Sequence, residues 1–146
     1  MSATADHAEE RTNPAAKLGF EPGQVVQEIG YDDDVEQELR EGIEAVIGQD
    51  LVDEEYDDVA DVVLLWFRDE DGDLTDALVD AIGLIDEGGQ IWLMTPKTGR
   101  DGYIEPSDIN EAVQTAGLTQ TRSINAGKDW TGSRLATPKA AKAGKR

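Results

Sequence analysis

Carboxylates dominate the reactive side chains of this sequence: 32 aspartates and glutamates stand against 13 lysines and arginines, one histidine and no cysteine. The missing cysteines remove thiolate nucleophiles, disulfide frameworks, iron-sulfur clusters and Cys-rich zinc sites. His7, the sole histidine, lies in a polar leader with no other ligand beside it in sequence. The serines and threonines therefore lack the histidine base of the usual acyl-transfer triad. Carboxylates are so frequent that a general acid and base could be paired almost anywhere, and only their separation in space would give such a pair meaning. The segment DEDGDLTD alternates Asp69, Asp71 and Asp73 in the manner of a calcium loop. Its Gly72 falls at position 4, where an EF-hand needs glycine at 6 and an acid at 12, so it reads as a solvated loop opening a helix and no metal is assigned. Trp66 and Arg68 close an apolar run, while Lys97 and Arg100 follow the next one. Aromatic surface and three positive charges at that edge could contact a ligand or partner and hold an anionic group. The competing reading has Trp66 capping the core and the bases balancing nearby acids.

The elements that must position these residues are legible in the pattern. Val25–Tyr31 is a short strand candidate. Asp32, Asp33 or Asp34 then offers a cap to a helix carrying Val35, Leu39, Ile43, Val46 and Ile47 on one face. Leu51–Tyr56 reads as a second, edge-like strand. The near-continuous apolar run Ala60–Phe67 has the signature of a strand covered on both faces in a parallel sheet. A helix from about Leu74 to Asp86 presents Leu74, Leu78, Ile82 and Ile85, with Asp73 or Thr75 as cap and Gly88-Gly89 as its stop. Ile91–Pro96, which contains Trp92, is the next buried strand and completes a βαβ unit. Pro106–Ala116 follows as a helix with Gly117 at C′. Thr119–Ile124 and the segment from Trp130 then form a hairpin through Asn125–Asp129. The fold class is α/β: one twisted, mostly parallel, Rossmann-like sheet flanked by helices and ending in an antiparallel β-hairpin. Three regions are expected: a flexible polar leader (1–17), the α/β domain (18–138) and a flexible basic tail (139–146).

The series of elements resembles the class I methyltransferase fold in shortened form, on the strength of DEGGQIWLMTP and a final hairpin after a helix ending in AGL. LGFEPGQVVQEIGYDDDV and DGYIEPSDINEAVQTAGLTQT further resemble a small uncharacterised actinobacterial family carrying a domain of unknown function. The methyltransferase resemblance implies an E-x-G-x-G-x-G loop after the first strand, whose backbone approaches S-adenosylmethionine. Glu28 and Gly30 fit that motif; Asp32 and Asp34 occupy the next two glycine places, adding bulk and negative charge where the cofactor carboxylate would lie. The acid that the fold expects after its second strand is Asp53 or Glu54. A nicotinamide cofactor has no glycine-rich fingerprint to bind.

Charge is unevenly distributed. Residues 1–90 hold 27 acidic and 4 basic side chains, a balance of −23, whereas residues 91–146 hold 5 and 9, a balance of +4. The acidic body would repel a phosphate backbone, so no specific nucleic-acid partner is expected; a protein partner with a basic surface suits it better. No segment approaches the 18 or so apolar residues of a membrane span, and the first fifteen residues do not resemble a secretory signal, so the expected location is cytoplasmic. The functional expectation is a non-catalytic interaction or regulatory domain with no bound cofactor. The alternative is an S-adenosylmethionine-dependent methyltransferase or small-ligand-binding protein using the carboxyl edge of the sheet.

Overall fold

The apolar run after Asp58 becomes a strand flanked by strands on both sides. The computed structural model describes Ala15 and residues 18–137; His7 and the basic tail lie outside the described residues, as does most of the leader. The elements are β1 (Val26–Ile29), α1 (Gln37–Ile47), β2 (Ala60–Trp66), a 3-10 turn (Asp69–Asp71), α2 (Leu74–Ile82), β3 (Ile85–Pro96), α3 (Pro106–Thr115), β4 (Thr119–Asn125) and β5 (Trp130–Ala136). They build one five-stranded sheet in the order β1-β2-β3-β5-β4. β1, β2 and β3 are parallel, with Val26 opposite Val62 and Val63 opposite Ile91. β5 returns antiparallel to β3, and β4 pairs antiparallel with β5 at the edge.

Alternation along the strands divides the core into two layers. Val62, Leu64 and Trp66 of β2, with Trp92 and Met94 of β3, face α1 through Leu39, Ile43 and Ile47. Val63 and Leu65 of β2, with Ile91 and Leu93 of β3, face α2 and α3 through Leu74, Leu78, Ile109 and Val113. This two-sided cover explains why β2 has no polar alternation beyond Asp61. β4 has the opposite character: TQTRSIN is almost wholly exposed, as an edge strand can be.

Several boundaries depart from the sequence reading. The cap of α1 is Glu36 rather than one of Asp32–Asp34, and its side chain makes no capping bond; the three aspartates occupy the preceding turn. α2 stops at Ile82 with Gly83 as C-cap, four residues short of Asp86. Gly88-Gly89 does not end that helix but lies inside β3, where the β2 pairing jumps from Ala60↔Ile85 to Val62↔Gln90. Glycine serves close approach here, since a Cβ on Gly89 would lie 2.9 Å from the Asp61 carbonyl oxygen. Leu51–Tyr56 contributes a single parallel bridge, Val52 to Gln27, instead of a strand. Asp73 caps α2 by accepting from the Asp76 N–H, and Gly117 follows α3 with φ +83, both in line with the sequence.

Candidate functional site

In this topology the loops after β1, β2 and β3 and the turn entering β5 gather at one edge, the carboxyl end of the parallel strands. Open α/β sheets bind ligands in the crevice there. The sequence sets two features at that crevice: β1 runs into Gly30 and three aspartates, and β2 runs into Trp66, Phe67 and Arg68.

Gly30 leaves β1 with φ +84, and a Cβ placed on it would collide with the Trp66 carbonyl oxygen. The backbone after β1 is thus pressed against the end of β2. Arg68, only 6% exposed, fills the space beside it. Its Nη1 donates to the Gly30 carbonyl at 2.8 Å, and its Nε donates to Asp34 Oδ2 at 3.0 Å while Nη2 pairs with Asp34 Oδ1. The Asp71 carboxylate takes the Arg68 N–H at 2.9 Å and Nη1 at 3.2 Å. A planar guanidinium suits such a two-pronged bond to a carboxylate, and it lies 5.2 Å from the centre of the Trp130 ring. Trp130 in turn donates its indole N–H to the Asp34 carbonyl at 2.9 Å. The loop that follows β1 is therefore held at its side chain and at its backbone.

A second knot adjoins the first. Trp66 packs edge-on to Trp130 at 4.9 Å and donates its indole N–H to Glu28 Oε2 at 2.9 Å. Glu28, 6% exposed, also accepts two bonds from Arg40 of α1, at 2.6 and 2.8 Å. Arg40 lies 4.7 Å from the Tyr31 ring centre. Across the crevice the Glu54 carboxylate accepts the Gly30 N–H at 2.8 Å.

These contacts set the charge states. Hydrogen bonding to Arg68 holds the Asp34 carboxyl below its ordinary value, against a smaller opposing effect of burial. Arg68 feels burial most strongly, which favours its neutral form, but bonds to Asp34 and Asp71 outweigh it and raise its pKa. The bond to Glu28 raises that of Arg40.

The residues picked from the sequence can now be placed. Glu28 and Asp53 line one recess of about 360 Å³ with Tyr31, Arg40, Glu54 and Glu55, and Gly30 reaches it through Glu54. Of the two candidate acids after the second strand, Glu54 is the one bonded to the Gly30 loop; the Asp53 carboxylate accepts the Glu55 N–H at 3.0 Å. Trp66 is 1% exposed. The three bases have separate partners. Arg68 is bonded to Asp34, Arg100 pairs with Asp129, and the Lys97 ammonium donates to the Gly127 carbonyl at 2.7 Å. A recess of about 370 Å³ beside Arg100 carries Asp34, Glu70, Asp101 and Asp129 on its walls, and Arg100 is the one base among its lining residues. Among the described residues no group of three or more acidic or histidine side chains is placed to hold a metal ion. Nor is any described helix long and apolar enough to cross a membrane.

Asp34 as the partner of Arg68, and Trp130 as the lid over both, escaped the sequence reading. A signal existed for the first. Asp34 stood out as misplaced charge in a glycine loop, and an acid there calls for a base.

Comparison with known proteins agrees with this architecture. The pyocyanin biosynthetic protein PhzM superposes with a TM-score of 0.64 at 11% identity, over 91% of this chain and 55% of its own, so the chain spans about half of that protein. An S-adenosylmethionine-dependent methyltransferase from Aquifex aeolicus gives a TM-score of 0.51 at 14% identity, covering 87% of this chain and 90% of that one. At such identities the likeness is one of fold, and that fold is of the class I methyltransferase type. In sequence, an uncharacterised protein of Mycobacterium tuberculosis is 52% identical over 142 residues, covering 97% of this chain and 87% of the relative. A relative from Mycobacterium bovis matches to the same extent. A family model described as a protein of unknown function, DUF3052, matches residues 15–139. The chain belongs to this small actinobacterial family, DUF3052, and carries a methyltransferase-like fold.

Proposed function

We propose that the chain is a non-catalytic interaction or regulatory domain, built on a methyltransferase-like scaffold whose cofactor crevice is taken up by its own side chains. The observation that carries this reading is Arg68. Its guanidinium lies against the Gly30 carbonyl and forks onto Asp34, at the turn where the methyltransferase motif would bring its glycine loop to the cofactor. Displacing it would uncover a buried cation and break its charge-assisted hydrogen bonds to Gly30, Asp34 and Asp71, a cost that weighs against a small ligand in a shallow crevice. The acidic walls around it favour a partner with a basic surface over an anionic metabolite, and a cytoplasmic location suits such a partner.

The alternative, a small methyltransferase or ligand-binding protein, draws on one observation: Glu28, Gly30 and Glu54 meet at the end of β1, where the family motif would place cofactor contacts. Incubating the purified chain and a cell extract with methyl-labelled S-adenosylmethionine separates a methyltransferase from the proposed non-catalytic domain. The proposal expects no label transfer above that of extract alone. Transfer that requires the added chain would overturn it.

A further inference from the structure

Among the described residues the sheet has two edges, and the chain closes one of them. At β1, the Val52 N–H donates to the Val26 carbonyl at 3.0 Å and the Val52 carbonyl accepts from the Glu28 N–H at 2.8 Å. β4 pairs with β5 on one side and has no strand on the other. Its register with β5 shifts between Gln120 and Arg122, which leaves residues 122–125 as a regular run. The Ala126 N–H bonds the Trp130 carbonyl, so the alternation of an antiparallel ladder turns the backbone N–H and C=O of Ser123 and Asn125 away from β5. All of β4 except Ile124 is exposed, and neither lysine nor proline, the usual guards of such an edge, occurs in it.

Charge singles out the same strand. Of the bases among the described residues, Arg40, Arg68 and Arg100 hold carboxylates and Lys97 holds a carbonyl oxygen. The side chains of Arg122, Lys128 and Arg134 hold neither among the described residues, and all three lie on the hairpin of β4 and β5. Arg122 and Arg134 stand opposite one another across the two strands, which sets like charges side by side on one face, and the buried Nε of Arg134 has no acceptor. No acid occurs from position 112 to 128 in a chain of net charge −19. We infer that the β4 edge takes an extended acidic segment of a partner protein as an added strand, its backbone on Ser123 and Asn125 and a carboxylate at Arg122, with Arg134 behind it. A second copy pairing through β4 would bring more arginine and no acid, whereas an acidic strand supplies the missing counter-charge. The inference goes beyond the proposed function, since β4 shares no residue with the Arg68 crevice, whose acidic walls suit the opposite charge.

The test uses the full chain labelled with 15N, titrated with the acetylated and amidated peptide TEVEVET, whose glutamates share one face of a strand, and separately with TKVKVKT. Saturable shifts of the β4 amides with TEVEVET are expected, with the lysine peptide at least about tenfold weaker. At saturation the Ser123 and Asn125 amides should exchange with solvent at least about tenfold more slowly, which charge attraction without strand pairing would not produce. Arg122→Gln, at an exposed position, should weaken binding of TEVEVET about tenfold while leaving distant amide signals in place. No saturable shift up to about 1 mM TEVEVET, equal or tighter binding of TKVKVKT, unslowed exchange at Ser123 and Asn125, or undiminished binding by Arg122→Gln would each overturn the inference. So would protection of the same amides without peptide, which assigns the edge to a second copy if sedimentation shows a dimer and to the chain itself if it shows a monomer. None of these readouts involves S-adenosylmethionine or methyl transfer, so this surface and the proposed function fail separately.

Discussion

Arg68 and Asp34 tie the turn after β1 to the end of β2. The two carry opposite charge, but they are not equally buried: the Arg68 side chain is 7% exposed and that of Asp34 is 56% exposed. Lysine at position 68 would keep the charge and lose the fork, since a single ammonium cannot serve the Asp34 carboxylate and the Gly30 carbonyl in the same geometry. Arg68→Lys is expected to lower stability by about 1–3 kcal/mol in denaturant titration, with Trp66 and Trp130 fluorescence reporting the transition. Acid gives a second handle. Because the native pKa of Asp34 lies below the unfolded value of about 3.9, its contribution is complete above that pH and fades as pH falls through the lowered native value. Its exposure keeps the contribution small, under about 1 kcal/mol. An acid titration of the wild type should therefore show a loosening below about pH 4 in indole fluorescence that Asp34→Asn lacks, the variant being loosened already at neutral pH.

At the scale of elements, the crevice is shaped by how closely β1 and β2 end together. Gly30→Ala meets both a positive φ and the Trp66 carbonyl oxygen, so a cost of about 2 kcal/mol or more is expected, read as a lower denaturation midpoint. Leu78→Ala in α2, at a position with no exposure, should cost about 2–5 kcal/mol without altering the environment of Trp130 on the other face. The contrast checks that the two core layers are distinct. Those layers were largely legible beforehand: the unbroken run of β2 and the spacing of Leu39, Ile43 and Ile47 leave few alternatives. The tract around Gly88-Gly89 was not. Two glycines usually punctuate, and only the pairing partner across the sheet shows that small residues there permit close approach by Asp61. Leu51–Tyr56 fell short of a strand for a related reason, since only Val52 finds a bridge while its acids turn to solvent and to Gly30. The site is half legible. Glu28, Gly30 and Arg68 are picked out by the sequence, which leaves Arg68 either facing a ligand or balancing nearby acids, and its bonds to Asp34 and Asp71 fit the second. Its contact with Asp34, 34 positions away, depends on two strand ends meeting.

For the molecule as a whole, charge is the governing property. The described residues form four ion pairs, all on arginine, while most carboxylates have no basic partner. Self-repulsion should then destabilise the native state at low ionic strength, and the melting temperature should rise as salt is increased from about 0.01 M to 0.15 M, where the screening length falls from about 30 Å to 8 Å. If the proposed function holds, association with a basic protein should weaken over the same range. The central claim concerns the cofactor crevice, and calorimetric titration of the purified chain with S-adenosylmethionine and S-adenosylhomocysteine tests it most directly. The account predicts no saturable heat up to about 1 mM of either compound; one-to-one binding with a Kd in the micromolar range, about −8 kcal/mol, would contradict it.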